Sequence, residues 1–223
     1  THIFYLTSGT DKNINKDKLY LRDKESIKTL TKLGIKKKNI HFIGRKLKIK
    51  HNKLYLNAVK IKTFFDKYIS NIIKPDVIYT HSWEGGHEDH DTCNLIARNI
   101  RSKYKIKNCY QFSLYNSFNT SVIFFKVFNP IEKEKGKMVQ ASVLDRINFI
   151  RLLFNYTSQI KTWIGLYPFI ICHYLFKNYN FMEKMNKDKF IRKPHTKKLL
   201  YETRKFCNFK KFRNKTKFFL IKS

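Results

Sequence analysis

The amino-acid sequence predicts an α/β fold: a three-layer, Rossmann-like arrangement on a mostly parallel sheet, with a helical C-terminal lobe. Three observations carry this expectation. Short β-branched and aromatic runs alternate with longer amphipathic stretches through roughly the first 130 residues, the signature of βαβ units. The turn signals Ser8-Gly9, Gly44 and Gly85-Gly86 come shortly after apolar runs, which places three loops at the carboxyl ends of strands, where open α/β sheets bind ligands. After Pro130 the alternation gives way to helical and irregular patterns.

Taken in order, His2-Ile-Phe-Tyr-Leu-Thr7 reads as a buried strand stopped by Ser8-Gly9. Leu19 to Leu33 places Ile27, Leu30 and Leu33 at helical spacing and ends at Gly34 as a C-cap. Asn39 to Ile43 is the next strand. Asn57 to Lys74 is the clearest helix, with Ile61, Phe64, Phe65, Tyr68, Ile69, Ile72 and Ile73 in the i, i+3, i+4, i+7 rhythm before Pro75. Asp76 to Thr80 is a strand, and Asp89 to Tyr104 a helix with Cys93, Ile96, Ala97 and Ile100 on one side. Cys109 to Leu114 and Val122 to Val127 are strand candidates; Met138 to Phe154 and Pro168 to Phe176 are helix candidates. The expectation is one domain over 1–223, with an α/β core to about residue 130 and the C-terminal lobe beyond it.

The chain is 42% hydrophobic and 16% aromatic, which is enough apolar material to bury a core and argues against disorder. Its net charge is +31, but nine arginines stand among 47 cationic residues. Phosphate recognition favours arginine forks, so the scattered lysines are read as a solvated basic surface and no dedicated nucleic-acid partner is expected. Contact with an anionic membrane or a lipid-linked sugar stays open. Cys93, Cys109, Cys172 and Cys207 are widely spaced with no CxxC pair and are read as reduced. No signal peptide is visible, and the longest apolar run, Trp163 to Phe176, contains Pro168 and His173 and is too short to span a bilayer. A cytoplasmic protein, or one at the cytoplasmic face of a membrane, is therefore expected.

The chemistry concentrates in Thr80-His-Ser-Trp-Glu-Gly-Gly-His-Glu-Asp-His-Asp91. These twelve residues hold three of the eight histidines and four carboxylates. His87 and His90, three apart at the mouth of a helix, lie on one face. They suit a metal ligand and a second group that polarises or protonates a substrate. Gly85-Gly86 lets backbone approach a ligand, and Asp89 or Asp91 could cap the helix or orient a histidine as an outer acceptor. Trp83 could stack on a sugar ring or pack; His195 reads as either near the site or on the surface, and His173 as structural.

This segment, EGGHEDHD after a short strand, resembles the second zinc-site motif of the PIG-L/LmbE-like N-acetylglucosaminyl deacetylases. Other stretches resemble the same family in the same order: Tyr5-Leu-Thr-Ser-Gly9, Arg22-Asp-Lys-Glu25, Leu33-Gly-Ile35 with His41-Phe-Ile-Gly44, Tyr156-Thr-Ser-Gln159 through Gly165-Leu-Tyr-Pro168, and Pro194-His195 with Leu199-Leu-Tyr-Glu202. The resemblance implies an LmbE-like fold and a zinc-dependent hydrolase that removes the N-acetyl group from an N-acetylglucosamine-type sugar on a glycoconjugate precursor. It implies that His90 binds the metal, that His87 is the catalytic histidine for the oxyanion and leaving amine, and that Arg22 contacts the substrate. The family's N-terminal HPDDE-type motif, which holds the general base and two metal ligands, has no counterpart in these 223 residues. The Zn2+ site is therefore expected to be incomplete in this chain, which is read as N-terminally incomplete. The alternatives are a non-catalytic sugar-binding relative and, further off, a basic nucleic-acid-binding protein.

Overall fold

The computed structural model of the protein describes residues 1–10, 16–71, 74–120, 126–131, 136–160, 164–185 and 192–219. In chain order its elements are β1 (Ile3–Phe4), α1 (Lys16–Lys32), β2 (Ile40–His41), α2 (Ile43–Lys46), α3 (Ala58–Asn71), β3 (Val77–His81) and α4 (Glu88–Lys103). There follow β4 (Asn108–Phe112), β5 (Tyr115–Asn116), β6 (Lys126–Val127), β7 (Gly136–Gln140), α5 (Val143–Leu153), α6 (Tyr167–Phe176), β8 (Tyr179–Lys184), α7 (Leu200–Thr203) and α8 (Phe209–Thr216). The mixed α/β class is as the sequence predicts. Contacts group the chain into two compact units, Thr1–Lys53 with Gln140–Asn178, and Leu54–Val139 with Tyr179–Ser223.

In the first unit β1 and β2 pair in parallel, Ile3 with Ile40 and Phe4 with His41. Backbone bonds continue the pairing past the strand ends: the Tyr5 amide donates to His41 O at 2.8 Å, Gly44 N to Tyr5 O at 2.9 Å and Ser8 N to Ile49 O at 2.8 Å. Gly44 is required here because a Cβ would fall on the backbone of Leu6 and Thr7. On α1 the Glu25 carboxylate accepts from Thr157 Oγ1 (2.8 Å), Ser158 N (2.8 Å) and Ser158 Oγ (2.6 Å). A buried carboxylate with three donors fixes both partners, so segments more than 130 residues apart are joined by one side chain. α5 and α6 pair through Phe149 on Tyr174, with ring centroids 5.6 Å apart, and through the Arg146 guanidinium on Tyr174 O at 3.0 Å.

The second unit holds a four-stranded sheet in the order β3-β4-β8-β7. β3 and β4 are parallel, from Val77–Asn108 to His81–Phe112, whereas β8 runs antiparallel to β4. α4 packs on this sheet, burying Ala97 with Cys109 and Met185. A polar chain crosses the same layer: the Arg98 Nε donates to Asn94 Oδ1 (2.7 Å), Asn94 Nδ2 to His81 O (2.7 Å) and Gln111 Oε1 (2.8 Å), and Gln111 Nε2 to Glu183 Oε2 (2.8 Å). Satisfied buried networks of this kind fix register. Around Leu54–Leu56, α7 and α8, the side chains of Leu54, Tyr55, Leu199, Leu200, Tyr201 and Phe212 are buried almost completely.

Three expectations need correction. The sheet is only partly parallel, because β8, whose polar-rich sequence Tyr179-Asn-Phe-Met-Glu-Lys184 carried no strand signal, inserts antiparallel beside β4. Met138 to Gln140 belong to β7 and not to a helix; Ser142 caps α5 through a capping box with Asp145, so the helix starts at Val143. The first strand is limited to Ile3–Phe4. Ile72, Ile73, residues 122–125 of the strand candidate and Trp163 lie outside the described residues. Among the described residues no helix is long and apolar enough to cross a membrane, and all four cysteines are free, with Cys172 exposed.

Candidate active site

β3 ends at His81, and the chain turns through Ser82–Gly86 before entering α4 at His87. The turn is held from both sides. Asp91, on the first turn of α4, reaches back so that its Oδ1 accepts from Glu84 N (3.1 Å) and Gly85 N (3.2 Å). Gly85 sits at φ +71°, a conformation that favours glycine. Gly86 lies so close to the Tyr115 carbonyl oxygen that no Cβ fits between them. Leu200 N donates to Gly85 O at 3.0 Å and the Leu199 side chain fills the space beside Gly85. The Leu199-Leu-Tyr-Glu202 signature thus buttresses the EGG turn.

Glu84 is the anchor of the loop. Only 1% exposed, its carboxylate accepts four hydrogen bonds: Ser113 Oγ (2.5 Å) and Asn116 Nδ2 (3.1 Å) on Oε2, Leu114 N (2.9 Å) and Tyr115 N (3.2 Å) on Oε1. Burial pushes its pKa up to about 7 although those bonds favour the charged form. The neutral acid also satisfies the site: Oε2–H can donate to Ser113 Oγ, whose own proton goes to Asn129 O at 3.1 Å. No signal within the motif marks its role, because its partners are the backbone and side chains of residues 113–116.

The two histidines of the motif come together at the head of α4. His87 is the N-cap: its Nδ1 accepts from Asp89 N at 3.1 Å. An accepting Nδ1 carries no proton, so the neutral ring bears its proton on Nε2. Glu88 Oε2 lies 3.5 Å from Nδ1, and both side chains are nearly inaccessible. The His90 ring stacks on His81 with centroids 4.2 Å apart, meets Tyr115 edge-on at 5.5 Å and lies 5.0 Å from the His87 ring. Desolvation in this stack pushes His81 down to about 4, so it is neutral at physiological pH.

Neither aspartate caps α4. Asp89 Oδ1 accepts from Leu54 N at 3.0 Å, pinning the Leu54–Leu56 turn, while its carboxylate lies within 4.8 Å of a His87 ring nitrogen, near enough for both to serve one ion. Asp91 holds the turn described above; its Oδ2 is buried without a hydrogen-bond partner. Burial first, then the neighbouring Glu84 and Glu88 charges, hold its carboxyl well above the usual range. Glu84, Glu88, Asp89 and Asp91 are all at most 5% exposed; burial favours the neutral acids of Glu84 and Asp91, which leaves Asp89 beside His87 as the carboxylate–imidazole pair suited to a cation.

The other candidates are placed as follows. Trp83 packs against Phe212 and Phe209 (5.9 and 6.4 Å) and donates its Nε1 proton to Arg192 O at 3.2 Å. His195 is buried against Phe118, ring centroids 5.1 Å apart, which lowers its pKa. Arg22 belongs to the first unit, where its guanidinium covers Gly9 at φ +74°. His173 is buried on α6.

The turn-and-helix geometry around EGGHEDHD is that of a structured segment at a strand end. Residues 1–101 match the PIG-L family, GlcNAc-PI de-N-acetylase. The PIG-L match takes in Arg22 and the whole motif, ending within α4. No curated protein and no solved structure matches the chain. PIG-L proteins are deacetylases of GlcNAc-type substrates and typically depend on a metal.

Proposed function

We propose that this protein is the histidine-bearing part of a metal-dependent hydrolase that removes the acetyl group from an N-acetylglucosamine-type sugar carried on a larger conjugate. The observation that carries the reading is the PIG-L match over a motif whose two histidines stand side by side at the head of α4. Imidazole is a donor that suits zinc. In this reading His90, oriented between His81 and Tyr115, is one ligand of the Zn2+. The metal supplies Lewis acidity toward the amide carbonyl.

The rest follows from the chain's own residues. The Asp89 amide fixes the His87 tautomer, so Nε2–H is the donor His87 offers to the oxygen on which negative charge develops. With a second proton taken up from solvent, Nδ1–H would face Glu88 Oε2 at 3.5 Å in place of the Asp89 N–H, and the ring would return to neutral by giving its Nε2 proton to the leaving sugar amine. No HPDD-type sequence occurs in these 223 residues. The reading therefore gives this chain one metal ligand and the oxyanion and leaving-group chemistry, and assigns no general base within it.

The test is acetate release from N-acetylglucosaminyl conjugates, GlcNAc-phosphatidylinositol among them, by the full gene product with zinc supplied. His87→Ala is expected to lower turnover about 10²- to 10⁴-fold, and His90→Ala to weaken zinc binding as followed by competition with a chromogenic chelator. No acetate release from any such conjugate sinks the substrate assignment. Full activity in His87→Ala sinks the role given to that residue.

A further inference from the structure

The α5–α6 pair of the first unit exposes apolar side chains that water does not favour. α6, Tyr167-Pro-Phe-Ile-Ile-Cys-His-Tyr-Leu-Phe176, contains no Asp, Glu, Lys or Arg. Ile170, His173 and Tyr174 are buried, while Pro168, Cys172, Leu175 and Phe176, at spacings of four, three and one, share the opposite face and are exposed. Phe176 is 83% exposed. α5 buries no residue at all, and Val143, Leu144 and Ile147 stand out from it, with Leu144 at 73%. The helices are firmly paired: the Tyr167 hydroxyl donates to Leu153 O at 2.9 Å and the Phe154 and Tyr167 rings lie 5.5 Å apart. The exposed groups therefore sit on a built surface, and an apolar surface of this kind marks an interaction site.

We propose that the outward face of α5–α6 docks on an anionic lipid membrane, lying in the plane of the interface. Charge selects the occupant. The chain carries +31, and residues 140–178 contain Arg146, Arg151, Lys161 and Lys177 against the single acid Asp145, which is engaged in the α5 capping box. A second copy would bring another +31 to the contact and is repelled, whereas anionic headgroups are attracted by the same charge. Nucleic acid would satisfy the cations but leave the valine, leucine, isoleucine and phenylalanine side chains without an apolar phase. A helix of ten residues spans about 15 Å, half of a bilayer's hydrocarbon thickness, so α6 lies on the membrane and does not cross it. This inference is independent of the deacetylase reading.

The test is co-sedimentation of the chain with phosphatidylcholine vesicles, with and without phosphatidylserine. Phosphatidylserine vesicles are expected to bind the protein, and Leu144→Asp and Phe176→Asp each to weaken binding about tenfold or more. Val59→Asp, which makes the same charge change at an exposed residue of α3, should bind like the unaltered chain. An environment-sensitive fluorophore on the exposed Cys172 should shift to the blue on vesicle addition. All four side chains are exposed, and unchanged melting curves of the variants confirm their folds. Three results overturn the proposal: no vesicle binding; binding that salt abolishes but Leu144→Asp and Phe176→Asp leave intact, as for any polyanion such as RNA; or a dimer in sedimentation that Phe176→Asp dissolves.

Discussion

Replacing Glu84 with Gln tests the anchoring carboxyl directly, and the structure fixes the expected size. In the neutral acid every local group is satisfied: Oε1 accepts from Leu114 N and Tyr115 N, while Oε2 accepts from Asn116 Nδ2 and donates to Ser113. A glutamine placed the same way keeps three of these bonds, but its NH2 faces Asn116 Nδ2, donor against donor. Rotating Asn116 would not help, because its Nδ2 also donates to Asn129 O (3.0 Å) and its Oδ1 accepts from Phe118 N (3.2 Å). The loss is one buried hydrogen bond with a donor left unpaired, about 1–3 kcal/mol. The acid also brings a pH dependence that glutamine lacks. Its folded pKa, about 7, is raised above the unfolded value of 4.5, so its stabilisation is full below pH 4.5 and is lost as pH rises through 7. The shift corresponds to about 3 kcal/mol. At pH 5 the unaltered protein should melt above Glu84→Gln, by about 2–4 °C per kcal/mol for a chain of this size; at pH 8 the gap should close or change sign. The comparison is the difference between the two proteins, so titration of His81, which burial alone shifts, cancels. A difference in melting temperature that stays constant from pH 5 to pH 8 refutes the reasoning.

Gly86→Ala places a Cβ on the Tyr115 carbonyl, where backbone must move, and should destabilise the second unit by more than about 3 kcal/mol or prevent folding, read by denaturant titration. Leu199→Ala removes a fully buried side chain packed beside Gly85 and should cost about 2–5 kcal/mol, with hydrogen exchange of the Gly85 region accelerated. Glu25→Gln should loosen the contact of α1 with Thr157 and Ser158, cost about 1–3 kcal/mol and leave the backbone exchange of α4 unchanged.

The long helices were legible because burial on one side imposes a period. α3 and α4 bury Ile61, Phe65 and Ile69, and Ile96, Ala97 and Ile100, among the residues that predicted them. The strands were less legible. β1 and β2 are two residues long, too short to show alternation, and β7 is exposed at all but one position, so nothing in its sequence separates it from the start of a helix. β8 is half-buried from Tyr179 to Glu183 and gains its place from the register against β4, a relation across about 70 residues that no local pattern reports. Arg22-Asp-Lys-Glu25 and Tyr156-Thr-Ser-Gln159 were recognisable as separate stretches, but only the structure shows that Glu25 exists to hold Thr157 and Ser158.

The motif itself shows why a chemical reading of a sequence overcounts. Four carboxylates in twelve residues suggest four groups aimed at a reaction. Three of them are acceptors for the protein's own amides: Glu84 for residues 114 and 115, Asp89 for residue 54, Asp91 for residues 84 and 85. Their partners lie up to 35 residues away, so acid spacing could not distinguish loop-building from catalysis. What remains for the proposed chemistry is narrower: His87 with a tautomer set by its own helix, Glu88 beside it, and His90 held between two rings. The division has a consequence that separates the two roles. Substitutions of Glu84, Asp89 or Asp91 act on folding first and on turnover through it. Replacing His90 by glutamine takes away the imidazole of the proposed metal site together with its stacking on His81, so zinc binding should fall by more than any change in melting temperature explains, and a variant that keeps the zinc affinity of the unaltered protein refutes the ligand assignment.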